Sequence, residues 1–295
     1  MPGTDAPVEC VINVSEGRSR SVVDALRTAA GATVLDVHSD PQHNRSVLTL
    51  GGALDAVQEA ARSVVTVAVD RIDLRTHYGI HPRFGAADVV PFVSLDRTGS
   101  AGATWRRVIG ARDSFAEWAG TRLALPCFLY GPERSLPDVR RTAFTSLLPE
   151  FGPHVAHPTA GATAVGARPV LVAYNVWISG PPDREPLAVA RAIAGALRSP
   201  TVRTLGLPVD AGAQVSCNLL DPVSTPMTAV YDAVVTRAVA SGCSVDRAEL
   251  VGLLPEAALR AVPARRWTEL DIGEERTIEF RLEAAARLLA GQLPP

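Results

Sequence analysis

The predicted fold is built around Thr76-His77-Tyr78-Gly79-Ile80-His81-Pro82-Arg83-Phe84-Gly85-Ala86-Ala87-Asp88 and the apolar run that follows it, Val89-Val90-Pro91-Phe92-Val93. Pro82 fixes its own φ and disfavours helical geometry at the residue before it, so the first part is predicted to be a shaped loop. The apolar run is typical of a buried strand. A loop that carries histidine and arginine and is tied to a rigid strand is where a functional site is expected. The alternative is a tight turn whose His81 and Arg83 bond only to nearby backbone.

The elements around this stretch follow a repeated βαββαβ order. Apolar periodicity predicts strands at about 8–14, 33–38, 46–51 and 89–93, with helices at about 19–30 and 53–69. After a helix at 103–119, a short strand at 127–130 and a Pro- and Gly-rich segment at 131–168, the order returns, with strands at 170–176, 202–205, 214–220 and 250–254 and helices at 186–197 and 226–240. A last helix is predicted at 278–289. The fold class is therefore α+β, an α/β sandwich of two ferredoxin-like subdomains, residues 1–177 and 178–295, whose sheets face each other across a cleft.

Composition narrows the class of protein. Apolar residues make up 47% and charged residues 20% of the chain, which is ordinary for a soluble globular protein. A net charge of −2 with no long charged block argues against a nucleic-acid surface. No apolar run reaches the roughly 20 residues of a membrane helix, and the first residues do not resemble a signal peptide, so we expect a cytoplasmic protein without membrane contact.

Cysteine and lysine usage exclude several chemistries. Cys10, Cys127, Cys217 and Cys243 lie far apart and form no CxxC pair, which argues against a disulfide framework or a thiolate zinc site. The sequence contains no lysine, so Schiff-base chemistry, a lysine base and a P-loop lysine are excluded. Histidine remains as the natural proton carrier near pH 7, and arginine is the fixed cation.

His81 is the first candidate for a catalytic base, because an imidazole exchanges protons near neutrality with little adjustment of its pKa. His77 is a weaker candidate. The spacing of His77 and His81 would suit two metal ligands on a helix, but Gly79 and Pro82 disfavour a helix, and no metal is predicted. A second polar turn carries the remaining candidates, His38, Asp40, His43, Asn44 and Arg45.

A further candidate segment is Gly161-Ala162-Thr163-Ala164-Val165-Gly166-Ala167-Arg168. It precedes a predicted strand, whereas a dinucleotide-binding loop should follow one, so that function is rejected. Its small residues would let a flat ligand approach the backbone, and the alternative is a linker with glycine turns. Arg45, Arg83 and Arg168 all lie beside the predicted loops, and their convergence on one cleft would suit a substrate with several carboxylates.

Six motifs in chain order carry a resemblance to a known family. They are Val8-Glu9-Cys10-Val11-Ile12-Asn13-Val14-Ser15-Glu16-Gly17, Asp40-Pro41-Gln42-His43-Asn44-Arg45-Ser46-Val47, His81-Pro82-Arg83-Phe84-Gly85-Ala86-Ala87-Asp88-Val89-Val90-Pro91-Phe92, Gly161-Ala162-Thr163-Ala164-Val165-Gly166-Ala167-Arg168, Gln214-Val215-Ser216-Cys217-Asn218-Leu219-Leu220-Asp221 and Glu249-Leu250-Val251-Gly252-Leu253-Leu254-Pro255. The chain resembles the formiminotransferase family over nearly its whole length.

This resemblance implies a homodimeric, folate-dependent enzyme that transfers a formimidoyl group between the nitrogen of an amino acid, glutamate in the family, and N5 of tetrahydrofolate, without a metal. The family's catalytic histidine falls on His81. Its folate-contacting segment falls on the residues Gly161, Ala162, Thr163, Ala164, Val165, Gly166, Ala167 and Arg168. We expect His38 and Asp40 to orient or tune the catalytic group, and Arg45, Arg83 and His43 to bind the substrate.

The sequence also departs from the family pattern. Ile80 stands where the family usually has glutamate, and His38 stands where the animal bifunctional members have aspartate. The missing glutamate makes a different amine a serious alternative substrate. Two further alternatives are a folate-binding protein without turnover and, at lower rank, a metal-dependent C–N hydrolase that uses His77 and His81.

Overall fold

The computed structural model describes residues 6–95, 102–181, 185–210 and 212–291. The chain divides into two compact units, Met1–Pro169 and Val170–Pro295. The elements of the first unit are β1 (Val8–Val14), α1 (Arg20–Ala30), β2 (Val34–Asp40), β3 (Arg45–Gly52), α2 (Leu54–Arg71), β4 (Ala87–Ser94), α3 (Gly102–Arg122), β5 (Cys127–Tyr130), α4 (Leu136–Thr142) and β6 (Thr163–Arg168).

The sheet of the first unit has the strand order β2-β3-β1-β4-β6-β5. The strands β1 to β4 are antiparallel and have the ferredoxin-like arrangement, which confirms the predicted βαββαβ order. The strands β6 and β5 extend the sheet beyond β4, and β6 runs parallel to both of its neighbours. The His-Pro-Arg stretch therefore leads into a strand in the middle of a six-stranded sheet.

Strand alternation decides which face of this sheet carries polar residues. Along β1, Val8, Cys10, Ile12 and Val14 are fully buried in the core under the helices α1 to α3. Successive side chains of a strand point to opposite faces, so Asn13 lies on the face away from these helices. This polar face, at the end of β1, is where the candidate site is built.

The Pro- and Gly-rich segment predicted at 131–168 contains two elements that the sequence analysis missed. The helix α4 is only seven residues long and is stabilised by a capping box between Ser135 and Asp138. The segment from Gly161 to Arg168 precedes a strand, Val172–Ser179, as expected, but most of it forms a strand of its own, β6 (Thr163–Arg168). Its glycine and alanine residues have little strand propensity, and pairing with β4 and β5 stabilises the strand instead. Gly166 leaves room for the ring of Tyr130, which would lie 2.1 Å from an added Cβ.

The second unit repeats the topology. Its elements are β7 (Val172–Ser179), α5 (Pro186–Leu197), β8 (Val202–Val209), β9 (Gly212–Leu219), α6 (Met227–Ala240), β10 (Ser244–Val251), α7 (Glu256–Arg260) and α8 (Ile278–Leu289). The antiparallel strand order is β10-β7-β9-β8, again ferredoxin-like, which confirms the predicted repeat and the α+β class. The last strand starts at Ser244 and not near Leu250, where the sequence predicts it. The prediction missed the first half of this strand because that half is polar, as an edge strand can be.

The boundary between the compact units lies between Pro169 and Val170. The boundary predicted after Trp177 would fall inside β7, so the first unit ends earlier than the sequence analysis placed it. Among the described residues, no helix is long and apolar enough to cross a membrane.

Candidate active site

Three loops of the first unit meet beside the end of β1. They are residues 15–19 between β1 and α1, residues 41–44 between β2 and β3, and residues 72–86 between α2 and β4. Residues 76–85 of the third loop are called the His81 loop, and residues 41–44 the β2–β3 turn.

Asn44 connects the three loops. Its Oδ1 accepts a hydrogen bond from the backbone N–H of Gly17 (3.0 Å), and its Nδ2 donates to the carbonyl oxygen of Tyr78 (3.0 Å). The Asn44 side chain is buried and its φ of +50° lies in the left-handed region, which asparagine tolerates better than most residues. Its own carbonyl oxygen lies 3.2 Å from Nε2 of His77. The β2–β3 turn is thus tied to both neighbouring loops by one side chain.

Two glycines allow the loops to approach the β2–β3 turn closely. A Cβ added to Gly79 would lie 2.3 Å from the carbonyl oxygen of His43, and a Cβ added to Gly17 would lie 2.3 Å from that of Asp40. Real Cβ atoms do not come this close to backbone oxygen. The β2–β3 turn is therefore held on both sides by close contact with a glycine, and any larger residue at either position would push it away.

We expect Gly79→Ala to lower the free energy of unfolding by about 1–3 kcal/mol, because the new methyl group forces the His81 loop off the turn. Urea denaturation measures this change. Gly110→Ala is the matched control: Gly110 lies in α3 with no described atom within 4 Å of an added Cβ, and the substitution should stabilise the helix by about 0.5–1 kcal/mol. Equal stability of the two variants would contradict the close approach.

His81 has both ring nitrogens engaged. Its Nδ1 lies 2.8 Å from the carbonyl oxygen of Pro82, which only accepts, so Nδ1 carries the proton. Its Nε2 therefore accepts, and the guanidinium Nη1 of Arg45 donates to it. Burial, followed by the positive charge of Arg45, lowers the pKa of His81 to about 2. The imidazole is neutral at physiological pH in this arrangement.

Arg45 is a desolvated cation. Its Nη2 donates to Oδ1 of Asn13, and its Nε is buried without a hydrogen-bond partner among the described residues. Burial lowers the pKa of Arg45 to about 10, so the group stays charged near neutrality. In the described part of the chain, no carboxylate forms an ion pair with it. An unpaired buried guanidinium with a free N–H is prepared to receive an anion.

Asp40 and His43 form a second pair on the same turn. Oδ2 of Asp40 lies 3.0 Å from Nδ1 of His43, and Oδ1 of Asp40 accepts from the backbone N–H groups of Gln42 (2.7 Å) and His43 (2.9 Å). Burial alone would raise the pKa of Asp40, but the hydrogen bonds from His43 and from the turn lower it to about 2. The His43 ring is 7% exposed and packs edge-on to His81, with ring centroids 6.0 Å apart.

Arg83 bonds to its own loop. Its guanidinium donates to the carbonyl oxygens of His77 (2.8 Å), Gly79 (3.2 Å) and His81 (3.3 Å). This is the alternative that the sequence left open, in which the arginine stabilises a turn. A role for Arg83 in substrate binding stays a prediction.

Asp88 and Arg140 anchor the far side of the His81 loop. Buried Asp88 accepts from the backbone N–H of Phe84 (2.8 Å) and from Nη2 of Arg140 (2.5 Å). The charge of Arg140 also contributes to the low pKa of His81. Sequence reasoning missed Arg140 because it missed α4. The signal that could have found it is Asp88, a carboxylate at the start of a buried strand that requires a cationic partner.

The remaining predicted residues lie along the sheet. His38 is half-buried on β2, opposite Val47 and two residues before Asp40, so both side chains share one face. Arg168 pairs with Val93, whereas Asn13 pairs with Val89. Four strand residues separate these positions along β4, a distance of about 13 Å. The structure therefore does not bring Arg45, Arg83 and Arg168 to one point, because Arg168 lies towards the other end of the sheet.

The segment predicted to contact folate is mostly interior. The residues Ala162, Thr163, Ala164, Val165, Gly166 and Ala167 are buried, and the terminal Gly161 and Arg168 are half-buried. Gly161 has a φ of +69° and packs against the backbone of Phe84 in the His81 loop. In the described residues, no three His, Cys, Asp or Glu side chains are grouped in a way that could hold a metal ion.

Comparison with known proteins identifies the family. Residues 7–168 match the family model described as "Formiminotransferase domain, N-terminal subdomain", and residues 171–282 match "Formiminotransferase domain". The chain belongs to the formiminotransferase family. The predicted family and the enzyme class are thereby confirmed, and the two matched regions correspond to the two compact units.

Curated relatives of this formiminotransferase are similar along most of its length. "Glutamate formimidoyltransferase" of Streptococcus pyogenes serotype M1 is 35% identical over 278 residues, which cover 85% of this chain and 90% of the relative. The protein of the same name from Thermoplasma acidophilum is 35% identical and covers 95% of this chain and 99% of its own. "Formimidoyltransferase-cyclodeaminase" of Gallus gallus is 34% identical, and the match covers 51% of that longer protein.

Proposed function

We propose that this formiminotransferase transfers a formimidoyl group between an amino acid nitrogen, that of glutamate in the first instance, and N5 of tetrahydrofolate. The observation that carries the proposal is the neutral, half-buried imidazole of His81 bonded to the unpaired guanidinium of Arg45. It combines a proton acceptor with an anion-binding group at the meeting point of three loops. The names of the curated relatives support the same transfer.

His81 moves the proton that the reaction requires. The attacking amine forms a bond to the formimidoyl carbon, which becomes tetrahedral, and the bond from that carbon to the leaving nitrogen then breaks. Overall, the attacking nitrogen loses one proton and the leaving nitrogen gains one. A neutral Nε2 is the acceptor that this exchange needs.

Arg45 binds a substrate carboxylate in this proposal. A carboxylate that takes the guanidinium withdraws it from Nε2 of His81, and the freed nitrogen faces the reacting atoms. Because the carboxylate also neutralises the cation, the pKa of His81 rises towards its ordinary range. Arg83 and His43 are the further substrate-binding residues of the proposal, and His38 and Asp40 orient the group that moves the proton.

Folate fits the residues along the polar face. Its glutamate tail carries carboxylates, and the guanidinium groups of Arg45 and Arg168 lie on the same sheet. Of the segment from Gly161 to Arg168, the two ends are the accessible part, so contact is proposed through these two residues. A homodimer, as the resemblance implies, is a further proposal that sedimentation equilibrium tests.

One observation favours a second substrate. Ile80 is half-buried directly beside His81, at the position where the family usually has glutamate. An apolar side chain there offers no hydrogen bond to an ammonium or amide nitrogen of the substrate. Formimidoyl transfer involving a different amine is therefore the alternative, ahead of folate binding without turnover and of a metal-dependent hydrolase.

The test is an absorbance assay with tetrahydrofolate and N-formimino-glutamate that follows 5-formimino-tetrahydrofolate. We expect transfer by the purified chain after treatment with a chelator. Tight tetrahydrofolate binding without transfer would move the proposal to a different amine, which a screen of formimino compounds would identify. Absence of folate binding would contradict the proposed transfer altogether. Activity that only added metal restores would favour the metal-dependent hydrolase.

A further inference from the structure

The Asp40–His43 pair packs against the ring of His81. Nδ1 of His43 faces the Asp40 carboxylate at 3.0 Å. Nε2 of the same ring is buried and has no hydrogen-bond partner in the described part of the chain. A buried imidazole nitrogen without a partner is costly unless a ligand completes it. The His43 ring packs edge-on against His81, so it lies at the site where the substrate is proposed to react.

The two histidines differ in their charged neighbours. Arg45 donates to His81, and its positive charge opposes a second positive charge on that ring. Asp40 is held ionised by its own turn, and its negatively charged carboxylate lies 3.0 Å from Nδ1 of His43. Arg140 on α4 is a further positive charge that acts on His81. Environments that separate the proton affinities of two neighbouring groups are typical of an acid and a base that work together.

We propose that His43, oriented by Asp40, is the general acid of this site and donates its Nε2 proton to the leaving nitrogen. This inference rests on the proposed function of the site. His81 takes one proton from the attacking nitrogen, and His43 supplies one to the leaving nitrogen as the C–N bond breaks. His43 ends neutral and His81 ends protonated, and one proton returns from His81 to His43 through solvent before the next turnover. No other reactant is consumed.

Asp40→Asn separates this role from a structural one. The asparagine Oδ1 still accepts from the two backbone N–H groups of the turn, so the turn is kept. Its NH2 group now faces Nδ1 of His43, which reverses the tautomer and removes the stabilising charge. We expect kcat to fall by about 10²–10⁴-fold with little change in KM, and the alkaline limb of the kcat profile to move to lower pH. A merely structural residue would not move that limb.

Two further variants complete the experiment. His43→Gln should lose kcat to a similar extent, and combining it with Asp40→Asn should cost little more, since the two residues act as one unit. His154→Gln, at an exposed histidine of the same unit, should match the wild type. Nitrogen-15 NMR of the free protein should show the proton of the neutral His43 ring on Nδ1 in the wild type, where Asp40 accepts it, and on Nε2 in Asp40→Asn.

The outcomes separate the two proposals. If the wild type transfers no formimidoyl group, the proposed function fails, while the His43 tautomer seen by NMR still reports on the Asp40–His43 pair. If the wild type is active and both Asp40→Asn and His43→Gln keep its kcat and its alkaline limb, the acid role of His43 is overturned. A His43 tautomer that is the same with and without the Asp40 carboxylate would overturn it as well.

Discussion

His81→Ala is expected to lower kcat for formimidoyl transfer by about 10²–10⁴-fold, the usual contribution of a positioned proton carrier. The physical reason is that Nε2 of His81 is the proton acceptor bonded to Arg45, and alanine has no group that replaces it. His81 is only half-buried and its Nδ1 bonds to the adjacent residue, so the free energy of unfolding should change little. Initial rates and a urea denaturation curve measure the two quantities on one preparation.

The control for this experiment is His154→Ala, which removes an exposed imidazole from the same unit. It should leave both kcat and stability unchanged. Full activity of His81→Ala with a normal denaturation curve would contradict the assignment of His81 as the base. Loss of activity together with loss of the fold would instead require His81→Gln, whose side chain preserves a hydrogen-bond acceptor for Arg45.

Arg45→Met is expected to lower kcat/KM by roughly 10–150-fold, as loss of a charge-assisted hydrogen bond worth about 1.5–3 kcal/mol predicts. Methionine fills a similar volume and removes a buried N–H without a partner in the described structure, so the fold should persist. The loss should appear mainly in KM for substrates that carry a carboxylate. Arg27→Met on the exposed face of α1 is the control and should behave as the wild type.

The same variant changes how the protein responds to pH. In the wild type the pKa of His81 is far below its unfolded value, so the unfolded chain binds more protons than the folded chain below about pH 6.5. This contribution destabilises the wild type as pH falls through that range, and it is absent at higher pH. Without the Arg45 charge the pKa of His81 rises, so the free energy of unfolding falls less as the pH is lowered. Melting temperatures at pH 5 and pH 7 measure the difference, and an equal decrease in both proteins would contradict the proposed effect of Arg45.

Local sequence patterns predicted the elements that carry the site. Apolar alternation located β1 and β4, and Pro82 with its flanking glycines located the His81 loop. These features depend on residues close together in the chain. By contrast, α4 is too short for periodicity to reveal, and with it Arg140 was missed.

Contacts between distant residues and the conformations of individual side chains decided the rest. The bonds of Asn44 to Gly17 and Tyr78 join residues that lie 27 and 34 positions apart. The use of the Arg83 guanidinium on backbone carbonyls, and the pairing of Asp40 with His43 while Arg45 bonds to His81, depend on which way each side chain turns. No pattern in the sequence contains that information. The distance between Arg45 and Arg168 likewise follows from strand register alone.

The β2–β3 turn also limits how the enzyme can be altered. Asp40 and Arg45 are the paired residues that close the hairpin, and Gly17 and Gly79 hold the turn between them from opposite sides. An inserted or deleted residue in the turn would shift the hairpin register and move the carboxylate and the cation at the same time. Homologous enzymes should therefore vary in the amino acids of this turn but not in its length. Libraries that aim to change the substrate should keep the residue count of this turn and randomise side chains outside it, such as Ile80 in the His81 loop.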